Sequence, residues 1–295
     1  MEEQPTSPNL SAYVFDHSAS VLRNHQWRTP SNSASYVLPH LKPDTIILDV
    51  GCGPGTITTG FAQLVPQGRV VGLDCVSHPL IYGRKLAQDL GLSNLEFCLG
   101  DVHSLPFADA SFDVVHAHQV LQHVADPIRA LREMRRVAKP GGLVAVSETA
   151  SITWYPHIDG IQKWWDLQNR VARARGANPH PGSFLHTWAN EAGFGHNQVR
   201  CTTGSWCFQT PEERAIWGTS MAERTQDSTF SRIVLENKFC TAQDLTDLAQ
   251  AWRDWANNDN ACSSFTVSQL LLLPESKVFL GVRQASGGSM ESRED

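Results

Sequence analysis

Three glycines follow the first strongly apolar run of the chain, in the stretch LDVGCGPGT at residues 48–56. Gly51, Gly53 and Gly55 allow the unusual backbone angles of a tight turn, and they let a ligand approach the chain without meeting a β-carbon. A dinucleotide-binding loop has the spacing G-x-G-x-x-G, whereas Thr56 stands where its third glycine would be. The loop therefore disfavours NAD and FAD, and it suits a smaller adenosine ligand whose tail crosses it.

Two aspartates end the next two apolar runs, Asp74 in RVVGLD and Asp101 in NLEFCLGD. A carboxylate at the end of the second strand can accept hydrogen bonds from both hydroxyls of a ribose. Asp101, at the end of the third, can accept from an adenine amino group. Either aspartate alone is more often a turn or cap residue. Together with the glycine loop, however, they indicate a ligand site at the carboxyl edge of a parallel sheet.

His116, His118 and His123 lie close together in DVVHAHQVLQHVADP, residues 113–127. Because histidine serves as a metal ligand and as a proton carrier, a metal site, an acid–base site and a scaffold are the three interpretations. In a strand, His116 and His118 share a face, and only His118 reaches the ligand edge. No carboxylate is obviously placed to complete a metal site, so no metal is predicted and His116 is read as a packing residue. His123 is a candidate general base, with a structural role as the alternative.

The elements that position these residues are apolar runs alternating with helical segments. The runs lie at residues 45–50, 69–74, 94–101, 112–118 and 142–148. One intervening helix is expected to begin with Asp126 as its N-cap and Pro127 in its first turn. The alternation predicts an α/β, Rossmann-like core with a mostly parallel sheet over residues 44–150.

The rest of the chain divides into three predicted parts. Residues 1–43 are expected to form an N-terminal helical lid segment, and residues 284–295 a disordered tail. Residues 151–283 are expected to form a helical substrate cap together with the last strands of the sheet. Its first helix is amphipathic, in the stretch HIDGIQKWWDLQNRVARARG.

The amino-acid composition limits the possible classes of protein and of binding partner. Of the 295 residues, 41% are hydrophobic and 18% are charged, with a net charge of −6, which is typical of a globular protein and argues against a nucleic-acid partner. No signal peptide or membrane span is recognisable, so we expect a cytoplasmic protein without a membrane partner, as a monomer or homodimer. Seven cysteines without a C-x-x-C pair favour reduced thiols.

The motifs LDVGCGPG, GLD, GDVHSLPF, FDVVHAHQVLQHVADP and RVAKPGG, taken together, resemble those of the class I S-adenosylmethionine-dependent methyltransferases, in their ubiquinone/menaquinone-biosynthesis branch. Flanking stretches resemble more loosely the small-molecule methyltransferases of microbial and fungal metabolism, the group that contains the thiol-methylating enzyme of gliotoxin metabolism. The resemblance implies S-adenosylmethionine as cofactor and S-adenosylhomocysteine as product. It favours sulfur or oxygen as the methyl acceptor without identifying the substrate.

The same resemblance implies roles for particular residues. Those expected to bind the cofactor are Asp49, Gly51, Gly53, Asp74, Asp101, Val102, Gln119 and Arg28. Asp49 and the glycines would surround the methionine moiety, and Val102 would contact the adenine beside Asp101. Gln119 would lie beneath the sulfonium. Arg28 would meet the cofactor carboxylate, the alternative being a surface arginine.

All nine tryptophans lie outside residues 44–150, and most are expected to form the core of the cap. Neighbours Trp164 and Trp165 lie about 100° apart on a helix, so they are not both expected to face one core. We expect Trp154, Tyr155 or one of this pair to line an apolar pocket above the methyl group. Such a pocket favours a hydrophobic small molecule.

Other functions stay open on this sequence. A pericyclase-like enzyme would use the cofactor only as a fixed charge, and a regulatory protein would bind it without catalysis. An aminopropyl transferase would need additional acidic residues, whereas the predicted cap is aromatic. Methyl transfer itself is an in-line displacement from an activated sulfonium, so alignment and exclusion of water matter more than a catalytic triad.

Overall fold

The computed structural model describes residues 27–274 and contains one seven-stranded sheet. The strands are Ile46–Val50 (β1), Arg69–Asp74 (β2), Leu95–Leu99 (β3), Phe112–His118 (β4), Ala138–Tyr155 (β5), Val199–Phe208 (β6) and Cys262–Leu272 (β7). Their order across the sheet is β3-β2-β1-β4-β5-β7-β6. Strands β1 to β5 pair in parallel, and β7 runs antiparallel to β5 and β6. The predicted α/β sheet is confirmed.

Helices flank the sheet and build the cap. They are Pro30–Ser33 (α1), Thr56–Leu64 (α2), Ser77–Asp89 (α3), Pro127–Val137 (α4), Asp159–Ala174 (α5), Leu185–Glu191 (α6), Pro211–Gln226 (α7), Thr229–Glu236 (α8) and Ala242–Ala256 (α9). The predicted N-cap residue of α4, Asp126, is confirmed, because its side chain accepts a hydrogen bond from the backbone N–H of Arg129 at 2.9 Å. None of the helices within residues 27–274 is long and apolar enough to span a membrane.

Strand β4 separates two hydrophobic cores. Val114 packs on one face with Phe61 of α2, whereas Val115 packs on the opposite face with residues of α4. His116 lies on the face of Val114, with its ring 5.1 Å from that of Phe61. This is the predicted alternation, and it places the end of β4 at the ligand edge.

A further core lies in the cap, where α5, α7, α8 and α9 pack with β6 and β7. Its buried tryptophans are Trp164, Trp206, Trp217, Trp252 and Trp255. The prediction that most tryptophans form the cap core is confirmed. The seven cysteines are all free thiols.

Strand β5 is much longer than the predicted strand at 142–148, since it continues to Tyr155. The extension exists because residues 151–155 pair with residues 262–266 of β7, which are more than a hundred positions away in the sequence. The predicted boundary at residue 150 therefore falls inside a continuous strand. Predictions for residues 1–26 and 275–295, including the disordered tail, lie outside the described residues.

Candidate active site

The glycine loop joins β1 to α2, and two of its residues need to be glycine for reasons of space as well as conformation. Gly51 and Gly55 have φ values of +64° and +80°. A β-carbon at Gly51 would lie 2.5 Å from a methyl group of Val120, and one at Gly55 would lie 2.7 Å from the ring of Phe97. Glycine at these two positions therefore lets the loop pack closely against Val120 and Phe97.

Asp74 supports this loop from the end of β2. Its Oδ2 accepts a hydrogen bond from the backbone N–H of Gly53 at 2.9 Å, and its Oδ1 accepts from that of Val76 at the same distance. A carboxylate offers about four lone-pair sites in all. Asp74 can thus hold the loop and receive ribose hydroxyls at once.

Asp101, at the next strand end, is paired with a histidine that the sequence analysis did not single out. Its Oδ1 accepts from the backbone N–H of His103 at 2.9 Å and lies 2.7 Å from Nδ1 of the same residue. The Nε2 of His103 accepts from the backbone N–H of Asp126 at 3.3 Å, which assigns the ring proton to Nδ1. The Oδ2 of Asp101 accepts no hydrogen bond within the described residues and can receive an adenine amino group. The stretch GDVHSLPF contained His103, but its contact with α4 is non-local.

Both side-chain oxygens of Asp49 contact other protein groups, although Asp49 also lines the cavity. Its Oδ1 lies 2.7 Å from Nδ1 of His116, and its Oδ2 accepts from the hydroxyl of Thr58 at 2.6 Å. No carboxylate was expected beside the histidines from the sequence, but Asp49 meets His116 across adjacent strands. Among residues 27–274 no group of three His, Cys, Asp or Glu side chains is arranged to hold a metal ion.

Gln119 occupies a strained turn after β4, with a φ of +55°. Its backbone N–H donates to the carbonyl of Ser147 at 2.7 Å. Its side-chain oxygen accepts from Arg28 at 2.5 Å, and its amide donates to Thr149 at 3.3 Å. Arg28 also lies over the ring of Trp206, at 5.5 Å from the centroid. Of the two predicted alternatives for Arg28, the structure places it at the cavity wall.

Glu148 is a buried carboxylate at this turn that the sequence analysis missed. Its Oε1 accepts from the backbone N–H groups of Val120 at 2.8 Å and Leu121 at 2.6 Å. Burial raises the pKa of Glu148 to about 8, although the N–H groups of Leu121, Val120 and Gln122 and the charge of Arg28 act in the opposite direction. Glu148 therefore fixes the turn that carries Gln119.

We expect Glu148→Gln to stabilise the fold more at pH 9 than at pH 6. The unfolded carboxyl has the ordinary pKa of 4.5, so folding takes up a proton between that value and about 8, and wild-type stability falls as pH rises through this range. Glutamine keeps an acceptor without the charge. The gain in unfolding temperature over wild type should be larger at pH 9 by about 2–4 °C or more, which corresponds to about 1 kcal/mol. Equal gains in thermal scans at the two pH values would contradict this.

Two of the histidines that line the cavity, His118 and His123, have a lowered pKa that favours the neutral ring. Burial lowers the pKa of His118 well below its usual range, and Arg28 and His116 lower it further. Burial, followed by the charge of Arg28, lowers the pKa of His123 to about 3. Such a ring is a weak base. This environment favours the structural alternative for His123 over a role as general base.

A cavity of about 280 Å³ lies between the strand edge and the cap. Its strand-edge side contains all the residues predicted to bind the cofactor. Its cap side is largely apolar and aromatic, with side chains from Trp27, Ile152, Trp164, Trp165, Trp206, Phe208, Ile216, Trp217, Met221 and Phe265. The site thus has one polar end and one aromatic end.

Four aromatic residues were predicted as substrate contacts, and two of them line the cavity. Trp164 and Trp165 both do so from α5, because the cavity is wide enough to meet two adjacent positions of the helix. Trp154 and Tyr155, which were predicted as alternatives to this pair, do not line the cavity. Strand β5 carries them past the ligand edge, so that Trp154 packs against the cap core and Tyr155 is exposed, with its carbonyl accepting from the indole of Trp255 at 3.1 Å.

The comparisons with known proteins agree with this geometry. Residues 41–193 match the family model described as a methyltransferase domain. An uncharacterized methyltransferase of Schizosaccharomyces pombe is 34% identical over 270 residues, which cover 86% of this chain and 94% of the relative. The demethylmenaquinone methyltransferase of Bacillus cytotoxicus is 36% identical over 141 residues, covering 48% of this chain and 58% of the relative. The solved structure of YcgJ from Bacillus subtilis has a TM-score of 0.55 at 16% identity, over 82% of this chain and 98% of that chain.

The structural similarity shows the fold. The family model, which spans more than half of the chain, and the relative from Schizosaccharomyces pombe together show the family. They confirm the resemblance inferred from the motifs at the level of the family as a whole. The chain belongs to the class I S-adenosylmethionine-dependent methyltransferases.

Proposed function

We propose that this enzyme transfers the methyl group of S-adenosylmethionine to a hydrophobic small molecule, with sulfur or oxygen as the favoured acceptor. The observation that carries the proposal is the division of one cavity into a polar strand edge and an aromatic cap wall. The match to a demethylmenaquinone methyltransferase supports a small-molecule acceptor. A place in secondary metabolism and in the cytoplasm is part of the proposal.

The residues at the strand edge fit the cofactor. The glycine loop would lie against the methionine moiety, since Gly51 and Gly53 line the cavity together with Asp49. Asp74 would receive the ribose hydroxyls. Asp101 would receive the adenine amino group, with Val102 beside the ring.

When bound, the cofactor supplies an electrophilic methyl on a positively charged sulfur. The chain's own contribution is alignment and the exclusion of water. Gln119, held by Arg28 and Thr149, would form the floor beneath the sulfonium. Trp164 and Trp165 would hold the acceptor above it, while the neutral His123 lines the wall without having to take up a proton.

Two measurements on the full chain test this proposal. Calorimetric titration should show binding of S-adenosylhomocysteine and none of NAD, because the loop lacks the third dinucleotide glycine. Incubation of a metabolite extract with methyl-labelled cofactor should then give a product that is heavier by one labelled methyl group. Absence of S-adenosylhomocysteine binding would overturn the cofactor assignment. Conversion of a metabolite without gain of mass would favour the pericyclase-like alternative.

A further inference from the structure

Two carboxamide side chains lie on the cavity side of α5. Gln168 and Asn169 follow Trp164 and Trp165 respectively at a spacing of four residues, which places each carboxamide one helical turn beyond a ring on the same face. The residues of α5 that line the cavity are Trp164, Trp165, Gln168, Asn169 and Ala172. The face of α5 toward the cavity is therefore aromatic in one turn and polar in the next.

The hydrogen-bonding capacity of these two carboxamides is not used up within the protein. The Oε1 atom of Gln168 is buried and accepts no hydrogen bond within residues 27–274. Asn169 is 9% exposed, and its side chain forms no hydrogen bond with another residue of the same range. A carboxamide offers one acceptor oxygen and two N–H donors. Since buried polar groups are normally paired, a ligand that forms hydrogen bonds of both kinds would complete this wall.

Two indoles on the cap side of the cavity add hydrogen-bond donors. The Nε1 atoms of Trp164 and Trp217 are buried, and neither donates to an oxygen or nitrogen in the part of the chain that the structure describes. Trp217 stacks on Phe208 with 4.5 Å between ring centroids, and Trp164 meets Trp252 edge-on at 5.3 Å, so packing holds both indoles in place. The cap side of the cavity therefore combines unused N–H donors with an unused carboxamide oxygen.

We propose that the methyl acceptor is an uncharged aromatic molecule whose polar group both donates and accepts hydrogen bonds, such as a hydroxyl or an amide, and that Gln168 and Asn169 bind this group. The inference rests on the proposed function and specifies the class of substrate at the same site. A carboxylate only accepts hydrogen bonds, so it would leave Oε1 of Gln168 without a donor. An ammonium only donates, so it would leave the indoles unpaired, and the sulfonium of the cofactor would repel it. A buried group left unpaired costs more than one hydrogen bond contributes.

The test uses four probes of one shape on the full chain saturated with S-adenosylhomocysteine. They are 2-naphthamide, which donates and accepts; 2-acetonaphthone, which is uncharged and only accepts; 2-naphthoate, the anion; and 2-naphthylmethylammonium, the cation. The anion is included because Arg224 of α7 also lines the cavity. Calorimetry should give the lowest dissociation constant for 2-naphthamide, about tenfold below that of each other probe.

Substitutions on α5 assign this preference to the two carboxamides. Gln168→Leu and Asn169→Leu should reduce the advantage of 2-naphthamide over 2-acetonaphthone, because leucine is of similar size but neither donates nor accepts. Gln162→Leu is the matched control, since it removes a carboxamide from the same helix outside the cavity and should keep the full preference. Thermal unfolding scans establish that each variant folds, and Gln168→Met or Asn169→Ala replaces a leucine variant that does not.

The outcomes separate this inference from the proposed function. Failure of S-adenosylhomocysteine to bind would remove the cofactor assignment itself. If it binds, but 2-acetonaphthone or a charged probe binds as tightly as 2-naphthamide, or no probe binds, the substrate class is overturned while the methyltransferase assignment stands. A preference for 2-naphthamide that persists unchanged in the variants of both Gln168 and Asn169 would overturn the role given to these two residues.

Discussion

Gly51→Ala is expected to reduce the affinity for S-adenosylhomocysteine by about a hundredfold or more. A side chain in the left-handed region costs about 1–2 kcal/mol, and Gly51 has a φ of +64°. The added β-carbon would also lie 2.5 Å from Val120. Relieving that overlap requires the loop, or the turn after β4 that carries Val120, to shift beside the cavity, at a further cost of about 1–3 kcal/mol. Calorimetric titration of the variant measures the loss.

Gly91→Ala is the matched control for this prediction. Gly91 has nearly the same φ, +65°, but an added β-carbon there would meet nothing within 4 Å. Both variants therefore carry the same backbone strain, and only Gly51→Ala adds an overlap at the cavity. Gly91→Ala should lose about 1–2 kcal/mol of stability with unchanged affinity. Equal affinities of the two variants would contradict the proposal that the loop cradles the cofactor.

Asp74→Asn is the second substitution with a large expected effect, a loss of about 10- to 100-fold in affinity for S-adenosylhomocysteine. The carboxylate accepts from the N–H groups of Gly53 and Val76 through its two oxygens. An asparagine amide must turn its own N–H₂ toward one of these two N–H donors. One charge-assisted hydrogen bond is therefore lost and two donors face each other, which costs about 1.5–3 kcal/mol of free energy. Asp89→Asn, a half-exposed position paired with Lys85 on α3, removes the same charge and should leave the affinity unchanged.

The 2′-deoxy analogue of S-adenosylhomocysteine separates the two roles assigned to Asp74. If this carboxylate receives the ribose hydroxyls as well as holding the loop, the penalty for losing the 2′-hydroxyl should be smaller in Asp74→Asn than in wild type. An identical penalty in both proteins would restrict Asp74 to supporting the loop.

The sequence predicted those site residues whose positions follow from the pattern of neighbouring residues. Asp74 and Asp101 were recognisable because each ends an apolar run, and parallel strands bring their carboxyl ends to one edge. Glu148 and His103 were missed because their roles come from partners elsewhere in the chain. Glu148 meets the turn after β4, 27 and 28 residues before it, and His103 meets the first turn of α4.

The differences from the sequence predictions have the same origin. Trp154 and Tyr155 were among the candidates for the pocket lining. Pairing with β7 keeps the chain extended, a constraint set by residues 262–266. Likewise, the contact between Asp49 and His116 joins residues 67 positions apart, and no spacing rule within either segment indicates it.

Strand β5 also bears on how such an enzyme can acquire new substrates. Its 18 residues form one strand, with an irregularity in its pairing with β7 between Thr149 and Ser151, that runs from the Rossmann-like core into the sheet beneath the cap. Ile152 on this strand lines the cavity. A recombination event near residue 150 would cut through hydrogen-bonded sheet and separate β5 from β7, so exchanging whole caps between relatives is structurally expensive. Point substitutions on α5 and α7 leave the sheet intact. In this architecture, changes of substrate specificity are expected to arise through single substitutions on those two helices. Strand β5 meanwhile keeps the strand edge and the cap side of the cavity in one sheet.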